Sequence, residues 1–147
     1  MKYPEPAPGL VIRYAFLWSS EHERGIYEAA KDRPCAIVLA AKIGDTGYFQ
    51  TVVVPITHSD PDPSDPAASI EIPQKICTQL GLDKERHWVR ITELNRFIWP
   101  GYDLRERPDQ PERIDYGFLP EAFFEKIRAA IVERNKVRKL RFTPRHE

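Results

Sequence analysis

The sequence predicts a mainly β domain, a small and partly open barrel with helical caps and a C-terminal helix. Three observations carry this. Short runs rich in β-branched and aromatic residues recur along the chain, as in Gly9–Trp18 (GLVIRYAFLW) and Val52-Val53-Val54-Pro55-Ile56. Tight turn signals such as Gly44-Asp45-Thr46-Gly47 separate them. The last long periodic segment, about Pro120 to Arg138, carries an apolar stripe of Phe123, Phe124, Ile127 and Ile131 at helical spacing. At 147 residues the chain is read as one domain over 1–147, large enough for a proper core.

In chain order, an extended arm runs to Pro8 and Gly9–Trp18 is the first strand. Ser19–Asp32 is a polar loop with a helical turn at Gly25–Ala30. Strands at about Pro34–Ile43 and Tyr48–Ile56 form a hairpin. Asp60–Pro66 must be an exposed connection, because Pro61, Pro63 and Pro66 deny a strand ladder its donors. Ser69–Ile72 is a short strand. Pro73 then opens a helix of about two turns that Gly81 closes, the expected order of punctuation. His87–Thr92 and Arg96–Trp99 are further strands, ended by Pro100-Gly101. Tyr102–Gly117 reads as a charged loop and residues 139–147 as a basic tail. There is no internal repeat.

Composition narrows the function. Lysine plus arginine balance aspartate plus glutamate at 22 each, and a net charge of zero argues against a dedicated nucleic-acid binder. The charge is unevenly spread, however. Asp60, Asp62 and Asp65 share one loop with no base nearby in sequence. Arg134, Lys136, Arg138, Lys139, Arg141 and Arg145 crowd the C-terminus, where a solvated helix end complementing the helix dipole is the simplest account. No run is apolar enough to span a bilayer and the start is polar and proline-rich, so neither a membrane span nor a leader is expected. Cys35 and Cys77 fall in a strand and a short helix without ligand-like spacing, which fits reduced thiols and a bacterial-type cytoplasm.

The local chemistry centres on two phrases. Arg33-Pro34 enters an apolar strand and Thr57-His58-Ser59 leaves one. If those strands pair through the Gly44–Gly47 turn, Arg33 and Thr57 return to the same rim of the sheet. A permanently charged fork beside a hydroxyl suits a phosphodiester. His22, His58, His87 and His146 are scattered in the sequence, and no metal or cofactor is expected. GxxxxGK[ST], GxSxG and HExxH are absent, so nucleotide hydrolysis, serine hydrolysis and zinc proteolysis lack a sequence motif. Trp88, Trp99 and Tyr102 offer faces for stacking bases, but the strand spacing of the two tryptophans favours core positions.

Gly9-Leu10-Val11-Ile12-Arg13-Tyr14, a loop with His22-Glu23, then Arg33-Pro34 and Val54-Pro55-Ile56-Thr57 together resemble the MazF/PemK (Kid) toxins of bacterial type II toxin–antitoxin pairs. The resemblance covers roughly the first strand to Trp99. It implies an SH3-like barrel, a homodimer and a metal-independent endoribonuclease that cleaves single-stranded RNA at short sequences. It also implies silencing by a small antitoxin with an acidic tail. Carried over by position, it assigns Arg33, Thr57, His22 and Arg90 to catalysis, and Glu23, His58, Ser59 and Thr92 to RNA binding. The acid expected two positions beyond Arg90 is replaced by Thr92, with Glu93 adjacent. A reading from another class is a non-catalytic module of the same fold, binding a protein target as CcdB toxins do, or simply binding RNA.

Overall fold

A computed structural model describes residues 3–25, 31–137 and 139–145. The strands are β1 (Leu10–Phe16), β2 (Lys31–Lys42), β3 (Phe49–Thr57), β4 (Ser69–Glu71), β5 (Trp88–Arg90), β6 (Glu93–Trp99), β7 (Asp115–Phe118) and β8 (Arg141–Pro144). The helices are α1 (Ser19–Glu23), α2 (Gln74–Gln79) and α3 (Glu121–Lys136). All eight strands form one sheet ordered β4-β5-β3-β2-β1-β7, with β6 branching from β3 and β8 from β6. All neighbours are antiparallel except β6 and β8. The sheet is not closed into a barrel, so the expected partial barrel is corrected to an open sheet.

The β2–β3 hairpin forms through the turn the sequence marked. Thr46 donates its hydroxyl to the Ile43 carbonyl at 2.6 Å, and Ile43 N–H donates to the Tyr48 carbonyl. Beyond it, β3 changes partners. Residues 49–53 pair with β6, whereas Ile56 and Thr57 pair with β5. Pro55 falls between the two ladders, where a residue without an N–H costs no bond on that side. The split turns the end of β3 away from β6 and delivers Thr57 to the rim.

β1 is buried on both faces, and its alternating side chains serve two cores. Val11 belongs to one, with Ala36, Val54, Ile56, Val89 and Tyr116, under Cys77 of α2 and Phe124 and Ile127 of α3. Ile12, Tyr14 and Phe16 belong to the other, with Cys35, Ile37, Val53, Phe97 and Trp99. Phe123 and Ile131 flank the first core, so the apolar stripe of α3 does pack on the sheet. Trp88 and Trp99 are core residues and Tyr102 is exposed. Both cysteines are free and buried, and burial raises each thiol pKa. No helix is long and apolar enough to cross a membrane among the described residues.

Three segments differ from the sequence reading. The polar loop begins with α1 and ends inside β2, which starts at Lys31. The end of the Tyr102–Gly117 loop is β7, whose Gly117 adopts φ +98° beside a register shift against β1. A left-handed glycine at a bulge weakens any strand pattern read from sequence. Within the basic tail, residues 139–145 are described and carry a strand. Residues 141–144 form β8, Arg141 N–H donates to the Thr92 carbonyl, and Thr143 and Arg145 are buried. The sequence-based turn at 26–30, the α3 end at Arg138, and His146 lie outside the described residues.

Among the described C-terminal cations, Arg134, Lys136, Arg141 and Arg145 each have a carboxylate partner. Arg134 makes a fork with Asp65 at 2.6 and 2.7 Å, joining α3 to the proline-rich loop that seemed to lack a base. That fork holds the Asp65 carboxyl below its usual range. Arg86 does the same for Glu71 and Arg107 for Asp109, while the Ser64 N–H lowers Asp62. A depressed folded-state pKa contributes stability above the ordinary carboxylate range, near pH 4, and that contribution is lost as pH falls through the folded value. Urea denaturation is therefore expected to show falling stability below about pH 4, with the Asp65 share removed in Arg134→Gln. An acid limb identical in Arg134→Gln would show that the fork contributes nothing.

Candidate nucleic-acid interface

Register brings the two phrases together. Tyr14 pairs with Arg33, Cys35 with Pro55, and Thr57 with Trp88. Continuing the β2–β3 register two residues past Cys35 and Pro55 sets Arg33 level with Thr57. Both line a cavity of about 400 Å³ at this end of the sheet, together with His58 and Arg13. Thr57 is buried, and its hydroxyl oxygen accepts the Ser59 N–H at 3.1 Å, so the chain folds back over the rim. Ser59 itself is exposed.

A second grouping forms around Trp18, just past β1. The guanidinium carbon of Arg33 lies 5.3 Å from the Trp18 ring centroid and that of Arg90 lies 5.8 Å from it. Both fall within cation–π range. Arg90 Nε donates to the Ser69 hydroxyl at 2.7 Å, which fixes the arginine along the β4–β5 edge. Arg90 Nη2 and Arg33 Nε are buried and have no hydrogen-bond partner among the described residues. An unsatisfied buried donor costs roughly 1–3 kcal/mol, so each of the two calls for an acceptor beyond the described residues.

The indole is held in place from behind. Asn95, fully buried on β6, accepts the Leu17 N–H at 2.9 Å and donates to the Leu17 carbonyl at 2.7 Å. Glu93 accepts the Ser19 N–H and the Ser19 hydroxyl, both at 2.8 Å. Trp18 N–H donates to Glu21 Oε1 at 3.1 Å, closing the first turn of α1. His22 lies one turn on, its N–H donating to the Trp18 carbonyl at 3.0 Å. The predicted His22 therefore rides on the same rigid turn as Trp18.

The other predicted residues divide. Glu23 faces Arg141 of β8, 3.6 Å away. Thr92 is half-buried, and its carbonyl receives β8, which gives the residue at the expected acid position a structural bond. His58 joins a cluster that its sequence position hides. Its Nε2 lies 3.3 Å from Asp83 Oδ2 and 3.6 Å from Glu85 Oε2, and its ring centroid lies 4.3 Å from that of buried His87, the two rings tilted by 46°. His87 Nε2 approaches Asp83 Oδ1 at 3.0 Å. Against the opposing effect of burial, the Glu85 N–H, which donates to Asp83 Oδ1, and then the nearby histidines hold the Asp83 carboxyl down.

Sequence reasoning missed Trp18, Asp83 and His87. The sole signal for Trp18 was a large aromatic at the end of a strand and directly before a Ser-Ser-Glu helix start. Asp83 and His87 carried an i, i+4 spacing, but only the fold brings them to His58. Compared with protein-family models and with curated proteins, the chain finds no match.

Proposed function

We propose that this chain is a metal-independent endoribonuclease of the MazF/PemK type, cleaving single-stranded RNA by attack of the substrate's own 2′-hydroxyl. The observation that carries the reading is the pair Arg33 and Arg90 on one indole, each with a buried N–H that finds no acceptor among the described residues. Two cations held against one indole suit a phosphodiester, and an aromatic face beside them suits an unstacked base. Preorganised cations matter most as charge develops on the phosphoryl oxygens. Arg33 clamps and stabilises the phosphate, Arg90 assists from the β5 edge, and Thr57 positions the strand at the rim. His22 is the proton carrier, histidine being suited to that role near neutral pH.

In this reading the open sheet is a divergent, unclosed relative of the SH3-like fold. The protein acts in the cytoplasm as a homodimer and is silenced by a small antitoxin whose acidic tail competes with RNA for Arg33 and Arg90. One observation favours a non-catalytic RNA-binding module of the same fold: Thr92 stands where an acid is expected, and its carbonyl is committed to β8.

The chemistry of the product separates the two. Attack by the 2′-hydroxyl leaves a 2′,3′-cyclic phosphate and a free 5′-hydroxyl, and DNA lacks the nucleophile. An RNA carrying one 2′-deoxynucleotide at the mapped cut site is expected to bind as the parent does and remain intact. Cutting of that substrate at the same bond would overturn the mechanism. Binding without cutting of the all-ribose parent would favour the binding module.

A further inference from the structure

We infer that His58, Asp83 and His87 form a binding site for one divalent transition-metal ion of the Zn²⁺ class, on the wall of the cavity that also holds Arg33 and Thr57. The ligand atoms of the three residues lie within 4.8 Å of one another. Two imidazoles and a carboxylate are the donor set preferred by Zn²⁺ and its neighbours, not by Mg²⁺ or Ca²⁺. The rings are already oriented. His58 Nδ1 lies 3.0 Å from the Arg86 carbonyl oxygen, and a carbonyl can only accept, so Nδ1 carries the proton. In the neutral ring, Nε2 then turns a lone pair toward the Asp83 carboxylate at 3.3 Å, an arrangement that a cation between them resolves. A backbone carbonyl on the far nitrogen is the usual outer support of a metal-bound histidine. His87 Nε2, from a buried position, lies 3.0 Å from the other oxygen of the same carboxylate and 3.4 Å from the Asp83 backbone carbonyl, so binding of the ion exchanges an Nε2 proton for the metal.

Three protein ligands leave one position of a tetrahedral ion open. All three residues line the cavity with Arg33 and Thr57, so an ion held there borders the space where a phosphate would lie. The site stands on its own geometry and does not rest on the ribonuclease reading. RNA cleavage is expected to proceed in excess chelator, so the two claims are read separately.

The test uses the full chain, stripped of metal, titrated with Zn²⁺ against a chromophoric chelator and with Co²⁺ by visible absorption. One-to-one binding is expected, with the strong visible bands of four-coordinate Co²⁺. His58→Ala and Asp83→Asn change exposed residues and should leave the far-ultraviolet circular dichroism unchanged. Each should weaken Zn²⁺ binding by more than about 100-fold, beyond the 10- to 100-fold that loss of an outer partner costs. Failure of the wild-type chain to compete for Zn²⁺ would overturn the assignment and leave an imidazolium–carboxylate cluster. Undiminished binding in a His58→Ala/His87→Gln double variant would place the ion elsewhere and overturn it equally.

Discussion

Asp103→Ala is expected to destabilise the protein by about 3–5 kcal/mol, the largest stability effect of any single substitution considered. Asp103 and Arg145 are both buried, and Arg145 Nη2 donates to Asp103 Oδ1 at 2.6 Å. The same nitrogen reaches the Ala15 carbonyl only at 3.5 Å, and Arg145 Nε has no acceptor among the described residues. Removing the carboxylate leaves a buried guanidinium with no other ion-pair partner among the described residues. Arg145 N–H also closes β8 onto the Arg96 carbonyl, so the edge strand should loosen with it. Two measurements check this: the urea midpoint, and protease cleavage within residues 139–145. The double variant Asp103→Leu/Arg145→Met removes both charges and is expected to recover much of the loss, since replacing a whole buried pair is often close to neutral. If Asp103→Ala unfolds at the wild-type midpoint, the pair does not hold the C-terminus.

Arg33→Ala is expected to lower the RNA cleavage rate by roughly 10²- to 10³-fold, the loss typical of one preorganised group facing developing charge. The fold should survive. Arg33 is half-buried at a strand entrance, and no ion pair ties its guanidinium down among the described residues. Arg33→Lys should also be impaired, because a point charge cannot reproduce the planar fork or its stacking on Trp18. Arg90→Ala tests the companion cation. It also releases the Ser69 hydroxyl, so some loosening of the β4–β5 edge is expected with it. Wild-type cleavage by Arg33→Ala, with the protein folded, would remove the residue from the site.

The parts of the fold that were legible share one physical cause. β1, β2 and β3 are long, apolar and β-branched, and α3 has a strong stripe, so pattern alone located them. The return of Arg33 and Thr57 to one rim followed from antiparallel pairing, but their level placement did not: the turn register alone would set Arg33 opposite His58, and a bulge between Ile37 and Leu39 shifts it by one to Thr57. β7 and β8 were not legible. Each is four residues long, one with a left-handed glycine and the other with a proline and two basic neighbours. Their order comes from tertiary partners, β1 for β7, and β6 with the buried Arg145–Asp103 pair for β8. The open sheet was likewise hidden, since closure depends on how β3 divides its ladder between β5 and β6.

At the candidate site the same rule holds. Arg33, Thr57 and Arg90 were visible as charged or hydroxyl residues at strand ends. Trp18 gained its meaning only when two arginines from separate strands met over it. Asp83 and His87 show only their i, i+4 spacing in the sequence, and His58 comes from the exit of β3, so only the fold announces the three together.

The most direct test of the ribonuclease reading is incubation of a long single-stranded RNA with the folded protein in excess EDTA, with both ends of every product mapped. Cleavage at a short recurring sequence is expected, leaving 2′,3′-cyclic phosphate and 5′-hydroxyl ends and disappearing in Arg33→Ala. Intact RNA under conditions where the protein is folded, or cutting that Arg33→Ala performs equally well, would contradict it.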